Sequence, residues 1–190
     1  MKYHNITHDD MKNGDGLRVV LWVSGCEHHC EGCQNPITWN PDDGLEFDIN
    51  TLIELEKELE KDYISGLTLS GGDPLSKFNL EQISMLVVWS KLAFPEKTIW
   101  LYTGFTWEEI IARTYYLPLA LILSCVDILV DGKFEQDKLD VNYPWAGSTN
   151  QRVIDVQETL KKGMVIRYGS NKERWYERAI SSDQNSKCCD

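Results

Sequence analysis

The chain has 190 residues, 42% hydrophobic and 26% charged, with a formal net charge of −11. That length favours one domain with a real core, and the acidic balance excludes a non-specific binder of nucleic acid or anionic membrane, which needs a cationic face. Six cysteines are too few for a secreted disulfide scaffold. No signal-peptide core follows Met1, and the most apolar window, 117–130, is short and broken by Pro118 and Asp127. A cytoplasmic protein with reduced thiols and no membrane span is therefore expected.

In chain order, Leu17 to Val23 is apolar on both faces, the pattern of a strand buried in a parallel sheet. A loop follows, carrying Cys26, Cys30 and Cys33 at CxxxCxxC spacing. Thr51-Leu52-Ile53-Glu54 has the capping-box pattern, and Leu52, Leu55, Leu59 and Tyr63 predict a helix running to Gly66. Leu67 to Leu69 reads as a second strand, ending in the turn Gly71-Gly72-Asp73-Pro74. Asn79 is placed to cap a helix carrying Ile83, Leu86 and Val87, with Pro95 at its end. Thr98 to Tyr102 is a third strand, followed by Thr103-Gly104. Thr106 to Glu109 is a second capping box, opening a helix that stops before Pro118. Val126 to Val130 is a fourth strand leading into Asp131-Gly132-Lys133. Arg152 to Val156 and Met164 to Tyr168 are weaker strand candidates around a short polar helix. From Gly169 the chain turns polar, predicting a short helix near Trp175 and a disordered end. The expected division is a domain over 1–168 and a tail over 169–190.

Strands alternating with helices make an α/β protein built on right-handed βα units. The chain is short for a complete eight-stranded barrel of about 250 residues, so the expected fold is a partial, open TIM-like barrel of parallel strands with outer helices. Ligands in such sheets bind beyond the carboxyl ends of the strands. The cysteine loop, Gly71-Gly72-Asp73, Thr103-Gly104 and Asp131-Gly132-Lys133 all fall at that rim and define one site.

The odd number of clustered cysteines carries the chemistry. A closed zinc site needs four ligands, so zinc would require His28, His29 or the distant Cys125. No second cysteine pair follows until Cys188-Cys189. Three thiolates on a [4Fe–4S] cluster would instead leave one iron open to a substrate. His28 and His29 read as supporting or solvent groups, Cys125 as a small buried hydrophobe, and no acid–base pair stands out.

CxxxCxxC after the first strand, with a Gly-Gly-acid turn after the second, resembles the radical S-adenosylmethionine enzymes. Asn13 to Arg18, and Cys33-Gln34-Asn35-Pro36 with Trp39, are similar to glycyl-radical-enzyme activases, although Gly32 stands where many superfamily members have an aromatic residue. Leu101 to Phe105, Val130 to Phe134 and Gly147 to Arg152 resemble the anaerobic ribonucleoside-triphosphate reductase activating proteins, over about residues 3 to 155.

This resemblance implies that Cys26, Cys30 and Cys33 hold a [4Fe–4S] cluster whose fourth iron chelates S-adenosylmethionine. Reductive cleavage would give a 5′-deoxyadenosyl radical that takes hydrogen from a glycine of the reductase's large catalytic subunit, with a flavodoxin-like electron donor. The backbone of Gly71, Gly72 and Asp73 would receive the ammonium of S-adenosylmethionine; the family more often has Glu at the position of Asp73. Asp131 and Lys133 would orient its carboxylate and ribose, and Asn150-Gln151-Arg152 its adenine or ribose edge. Those two segments fit a solvated turn and a strand start as well. Thr103, at the same rim, completes the cofactor-binding set. Another small radical enzyme, such as a pyruvate formate-lyase activase, and a zinc-stabilised binding module are the competing functions.

Overall fold

The chain is described by a computed structural model covering residues 1–169; the expected Trp175 helix, the polar end and Cys188-Cys189 lie outside the described residues. Strand β1 (Lys2–Asp10) turns back through Asn13 to Gly16 into β2 (Leu17–Val23). The cysteine loop and a two-residue strand, β3 (Leu45–Glu46), precede helix α1 (Ile49–Leu59). Strand β4 (Ile64–Gly71), helix α2 (Leu80–Ala93) and strand β5 (Thr98–Tyr102) continue the alternation. Helices α3 (Trp107–Ile111) and α4 (Leu117–Cys125) lead to β6 (Ile128–Asp131), β7 (Arg152–Asp155) and α5 (Val156–Lys162).

The seven strands form one open sheet in the order β3-β1-β2-β4-β5-β6-β7. β2, β4, β5 and β6 are parallel, whereas β1 and β3 on one side and β7 on the other are antiparallel. The fold is thus a partial, open barrel, as expected, but its margins are antiparallel. The register fixes the rim: Val23 lies level with Gly71, Leu69 with Leu101, and Tyr102 with Val130. The cysteine loop, the Gly-Gly turn and Thr103-Gly104 therefore leave the sheet side by side.

Alternation along the strands separates two faces. Val19, Leu21, Val23, Leu67, Leu69, Ile99, Leu101 and Leu129 pack with apolar residues of all five helices into the main core. The opposite face carries Arg18, Thr68, Trp100 and Val130, and Trp145 and Tyr168 cover its apolar part. Arg18, fully buried there, donates to Thr68 Oγ1 at 2.7 Å, Leu67 O at 2.8 Å and Thr98 O at 2.7 Å. Burial pushes its pKa down to about 10. These contacts lock the floor of the concave face.

Several expected boundaries move. α1 starts at Ile49 with Asp48 as its cap, and Thr51 is the third helical residue of that capping box rather than its first member. The helix ends at Leu59, so Tyr63 stands on the surface, 54% exposed. Asn79 makes no capping bond to α2, since its amide is drawn into the core. The helix opened at Thr106 does end short of Pro118, at Ile111, and Pro118 itself sits in the first turn of α4, where a missing N–H costs no helical bond. Met164 to Tyr168 forms no strand, only an isolated bridge between Ile154 and Arg167. The capping box at Thr106 and Glu109 forms as expected.

Candidate functional site

A cleft of about 830 Å³ opens at the carboxyl rim, against the concave face. Of the residues predicted from sequence, it brings together Cys26, Cys30, Cys33, Gly71, Gly72, Asp73 and Thr103. The start of the cysteine loop is held by backbone. Gly25 N–H donates to Thr38 O at 2.7 Å, Cys26 N–H to Trp39 O at 3.1 Å, and Asp73 N–H to Gly25 O at 2.9 Å. The buried Asn79 amide donates to Ser24 O at 2.8 Å and Asp73 O at 3.0 Å, tying the loop to the Gly-Gly turn. Gly71 adopts φ +102°, and a Cβ there would lie 2.8 Å from Val23 O. Only glycine allows this approach.

All three loop cysteines are free thiols. Burial pushes the Cys26 thiol up to about 11, opposed by the backbone N–H groups of His28 and His29 that reach its sulfur. Cys30 is also raised by burial and opposed by the N–H of Phe134, while the Cys33 sulfur accepts the Asn35 N–H at 3.4 Å. Such N–H donors stabilise thiolates and tune iron–sulfur clusters. Among the described residues no three His, Cys, Asp or Glu side chains converge on a single ion. A four-iron cluster asks for less convergence, because each thiolate takes its own iron. The donor set fits that cluster: three soft sulfurs on one loop, backbone donors around them, and an adjoining cleft.

Asp73 is 1% exposed, and its carboxylate is taken up by partners within the fold. Its carboxylate accepts from His28 Nε2 at 2.7 Å, Leu75 N–H at 2.7 Å, Thr103 Oγ1 at 3.0 Å and Gly104 N–H at 3.0 Å. The backbone of the Gly-Gly turn remains the part that borders the cleft. Tyr102 also lines it, with a hydroxyl that is buried and unpartnered among the described residues and a pKa raised by burial.

Three expected cofactor contacts fall elsewhere. Asp131, 1% exposed, is engaged by Arg152, with Nε at 3.0 Å from Oδ1, and by the Trp107 N–H at 2.6 Å. Lys133 is exposed and does not line the cleft. Asn150 donates to Lys133 O at 2.8 Å and closes its own loop. Its neighbour Gln151 does border the cleft, donating to Gly132 O at 2.9 Å. His28 takes the supporting one of its two expected roles, through Asp73, whereas Asn79, expected as a helix cap, fastens the site instead. The sequence reading missed the segment 139–147, whose Trp145 (φ +57°) forms one cleft wall.

An open α/β barrel with a three-cysteine rim loop defines the class: an iron–sulfur protein with a single cluster domain. A family profile described as "4Fe-4S single cluster domain" matches residues 12–154. The chain is 49% identical over 153 residues to the anaerobic ribonucleoside-triphosphate reductase-activating protein of Enterobacteria phage T4, covering 80% of this chain and 93% of that one. The proteins of the same name from Pasteurella multocida (strain Pm70) and Escherichia coli (strain K12) are 42% and 38% identical, each over 80% of this chain and 95% and 97% of theirs. The chain belongs to the anaerobic ribonucleoside-triphosphate reductase-activating protein family. No helix among the described residues is long and apolar enough to cross a membrane.

Proposed function

We propose that the chain activates an anaerobic ribonucleoside-triphosphate reductase by reductive cleavage of S-adenosylmethionine, the 5′-deoxyadenosyl radical taking hydrogen from a glycine of the large catalytic subunit. The observation that carries this reading is the meeting of Cys26, Cys30, Cys33 and Gly71-Gly72 in one rim cleft. When bound, a [4Fe–4S] cluster supplies the electron for that cleavage and an open iron to anchor the cofactor. The chain's own residues then hold and orient. Cys26, Cys30 and Cys33 ligate, the Gly71-Gly72 backbone receives the ammonium end, and Thr103 fixes the turn through Asp73.

A cleft open to solvent suits a substrate that is a loop of another protein. Tyr102 and Trp145 form apolar walls beside it, and neither is a general base, in keeping with hydrogen-atom rather than proton transfer. The reading places the chain in a reducing cytoplasm, where a flavodoxin-like protein can serve as donor. Anaerobic reconstitution tests the reading. About four irons per chain are expected, with conversion of S-adenosylmethionine to methionine and 5′-deoxyadenosine under reductant, both abolished in Cys30→Ala. One zinc per chain without iron would overturn it.

A further inference from the structure

The start of the cysteine loop is fastened by backbone, but between Cys26 and Cys30 one side chain provides the buried polar attachment. His28 Nε2 lies 2.7 Å from Asp73 Oδ2, with the two side chains 8% and 1% exposed. The ion pair of Glu27 with Lys77 in the same stretch is solvated, at 37% and 69%, and holds little. The imidazole occupies a slot built for it. Phe105 meets the ring edge-on at 4.6 Å. At Gly104 an added Cβ would stand 2.3 Å from His28 Cδ2, and the Gly104 N–H binds the same Asp73 oxygen. The aspartate is thereby shared by the cluster loop, its own turn and the end of β5.

We propose that His28, Asp73 and Gly104 form a latch that presets the cysteine loop for its cluster, His28 acting as a positioning residue and not as a ligand. The inference rests on the cluster reading above and deepens it, giving Asp73 a structural partner in place of a direct contact with the cofactor. A histidine that donates one ring N–H to a carboxylate can ligate through the other nitrogen. Here the ring is held on one side by Asp73 and on another by Phe105, and the three cysteines already supply the ligands of the cluster reading, so His28 is assigned to positioning.

The test compares parent, His28→Ala, His28→Gln, Asp73→Asn, Gly104→Ala and the His28→Ala/Asp73→Asn double variant. Gln carries a terminal amide that can keep the bond to Asp73. After anaerobic reconstitution, iron release to a chelator is followed together with the electron paramagnetic resonance spectrum of the reduced cluster. His28→Ala, Asp73→Asn and Gly104→Ala are expected to release iron about 10-fold faster or more, within the range of lost supporting contacts. His28→Gln should stay near the parent, and the double variant should be no worse than either single change, because the pair acts as one unit. In the metal-free protein, His28→Ala should speed amide exchange across 26–31 while leaving the strands protected.

Iron retention and loop exchange like the parent's in His28→Ala would overturn the latch. So would multiplying losses in the double variant, or nitrogen hyperfine coupling showing histidine bound to iron. The metal-free exchange keeps the two claims separable. If the parent binds no cluster but His28→Ala loosens only this loop, the cluster reading fails and the fastening stands.

Discussion

Replacing Arg152 with alanine would strand a carboxylate. Asp131 is 1% exposed and, among the described residues, its carboxylate keeps only the Trp107 N–H at 2.6 Å once the guanidinium is gone. Breaking a buried pair from one side costs about 3–5 kcal/mol. Because the Arg152 side chain is itself 24% exposed, water reaches one edge of the pair, which puts the cost near the low end, about 3 kcal/mol. The second leg to Glu108, 64% exposed, adds less than about 1 kcal/mol. Asp131→Asn is the milder change, about 1–2 kcal/mol: the amide still accepts from Trp107, and Arg152 retains Glu108 and solvent. Urea unfolding of the metal-free, reduced protein reads both. With a slope of about 2 kcal/mol per molar, the midpoint should fall by about 1.5 M in Arg152→Ala and by about half that in Asp131→Asn. A loss in Asp131→Asn as large as in Arg152→Ala, or a loss below about 1 kcal/mol in Arg152→Ala, would refute the reasoning. Asp131→Asn should also bind S-adenosylmethionine like the parent, since its carboxylate is engaged inside the fold.

Thr106→Ala removes the side-chain acceptor of the capping box that opens α3. It should cost about 1 kcal/mol, with faster amide exchange confined to 107–111. The Asp48 carboxyl is held below its usual 3.8 by the backbone N–H of Thr51 and by Asn50. Its contribution is complete above pH 3.8 and fades as pH falls through the lower folded value. Exchange protection of α1 should follow that fall in the parent, whereas Asp48→Asn should flatten the dependence; an unchanged profile would contradict the cap's role. Gly71→Ala places a Cβ 2.8 Å from Val23 O at φ +102°. It should destabilise the chain by about 1–3 kcal/mol, and a neutral result in the same urea assay would remove the claim of close approach.

Local rules were enough where sequence neighbours decide the outcome. Thr98 to Tyr102 is a short apolar, branched and aromatic run, and Thr106 and Glu109 satisfy each other three residues apart. The cysteine loop and the Gly-Gly turn were legible as one site because parallel βα units carry such loops to the same rim. What was illegible depends on distant partners. β1 reads Lys-Tyr-His-Asn-Ile-Thr-His-Asp-Asp, too polar to announce a strand, and it exists by pairing with β2 at the sheet's margin. Asp48 and Thr51 both begin capping-box patterns, and Asp48 takes the cap because its carboxylate can bind two N–H groups at once.

The site shows the same division. Asp131 and Arg152 are 21 residues apart, and they face each other only because β7 runs antiparallel to β6, a pairing the expected all-parallel sheet did not contain. Their ion pair engages Asp131 inside the fold. His28 and Asp73, 45 residues apart, meet only once β2 and β4 are in register. The cysteines themselves needed no such context to stand out as a candidate metal-binding loop, since Cys26, Cys30 and Cys33 lie within eight residues.

The most direct measurement mixes the reconstituted protein anaerobically with S-adenosylmethionine, reductant and the large catalytic subunit of an anaerobic ribonucleoside-triphosphate reductase, and records electron paramagnetic resonance. The account predicts a glycyl-radical doublet on the reductase, accompanied by 5′-deoxyadenosine and absent with Cys30→Ala. A loaded cluster that cleaves S-adenosylmethionine yet leaves no radical on the reductase would contradict it.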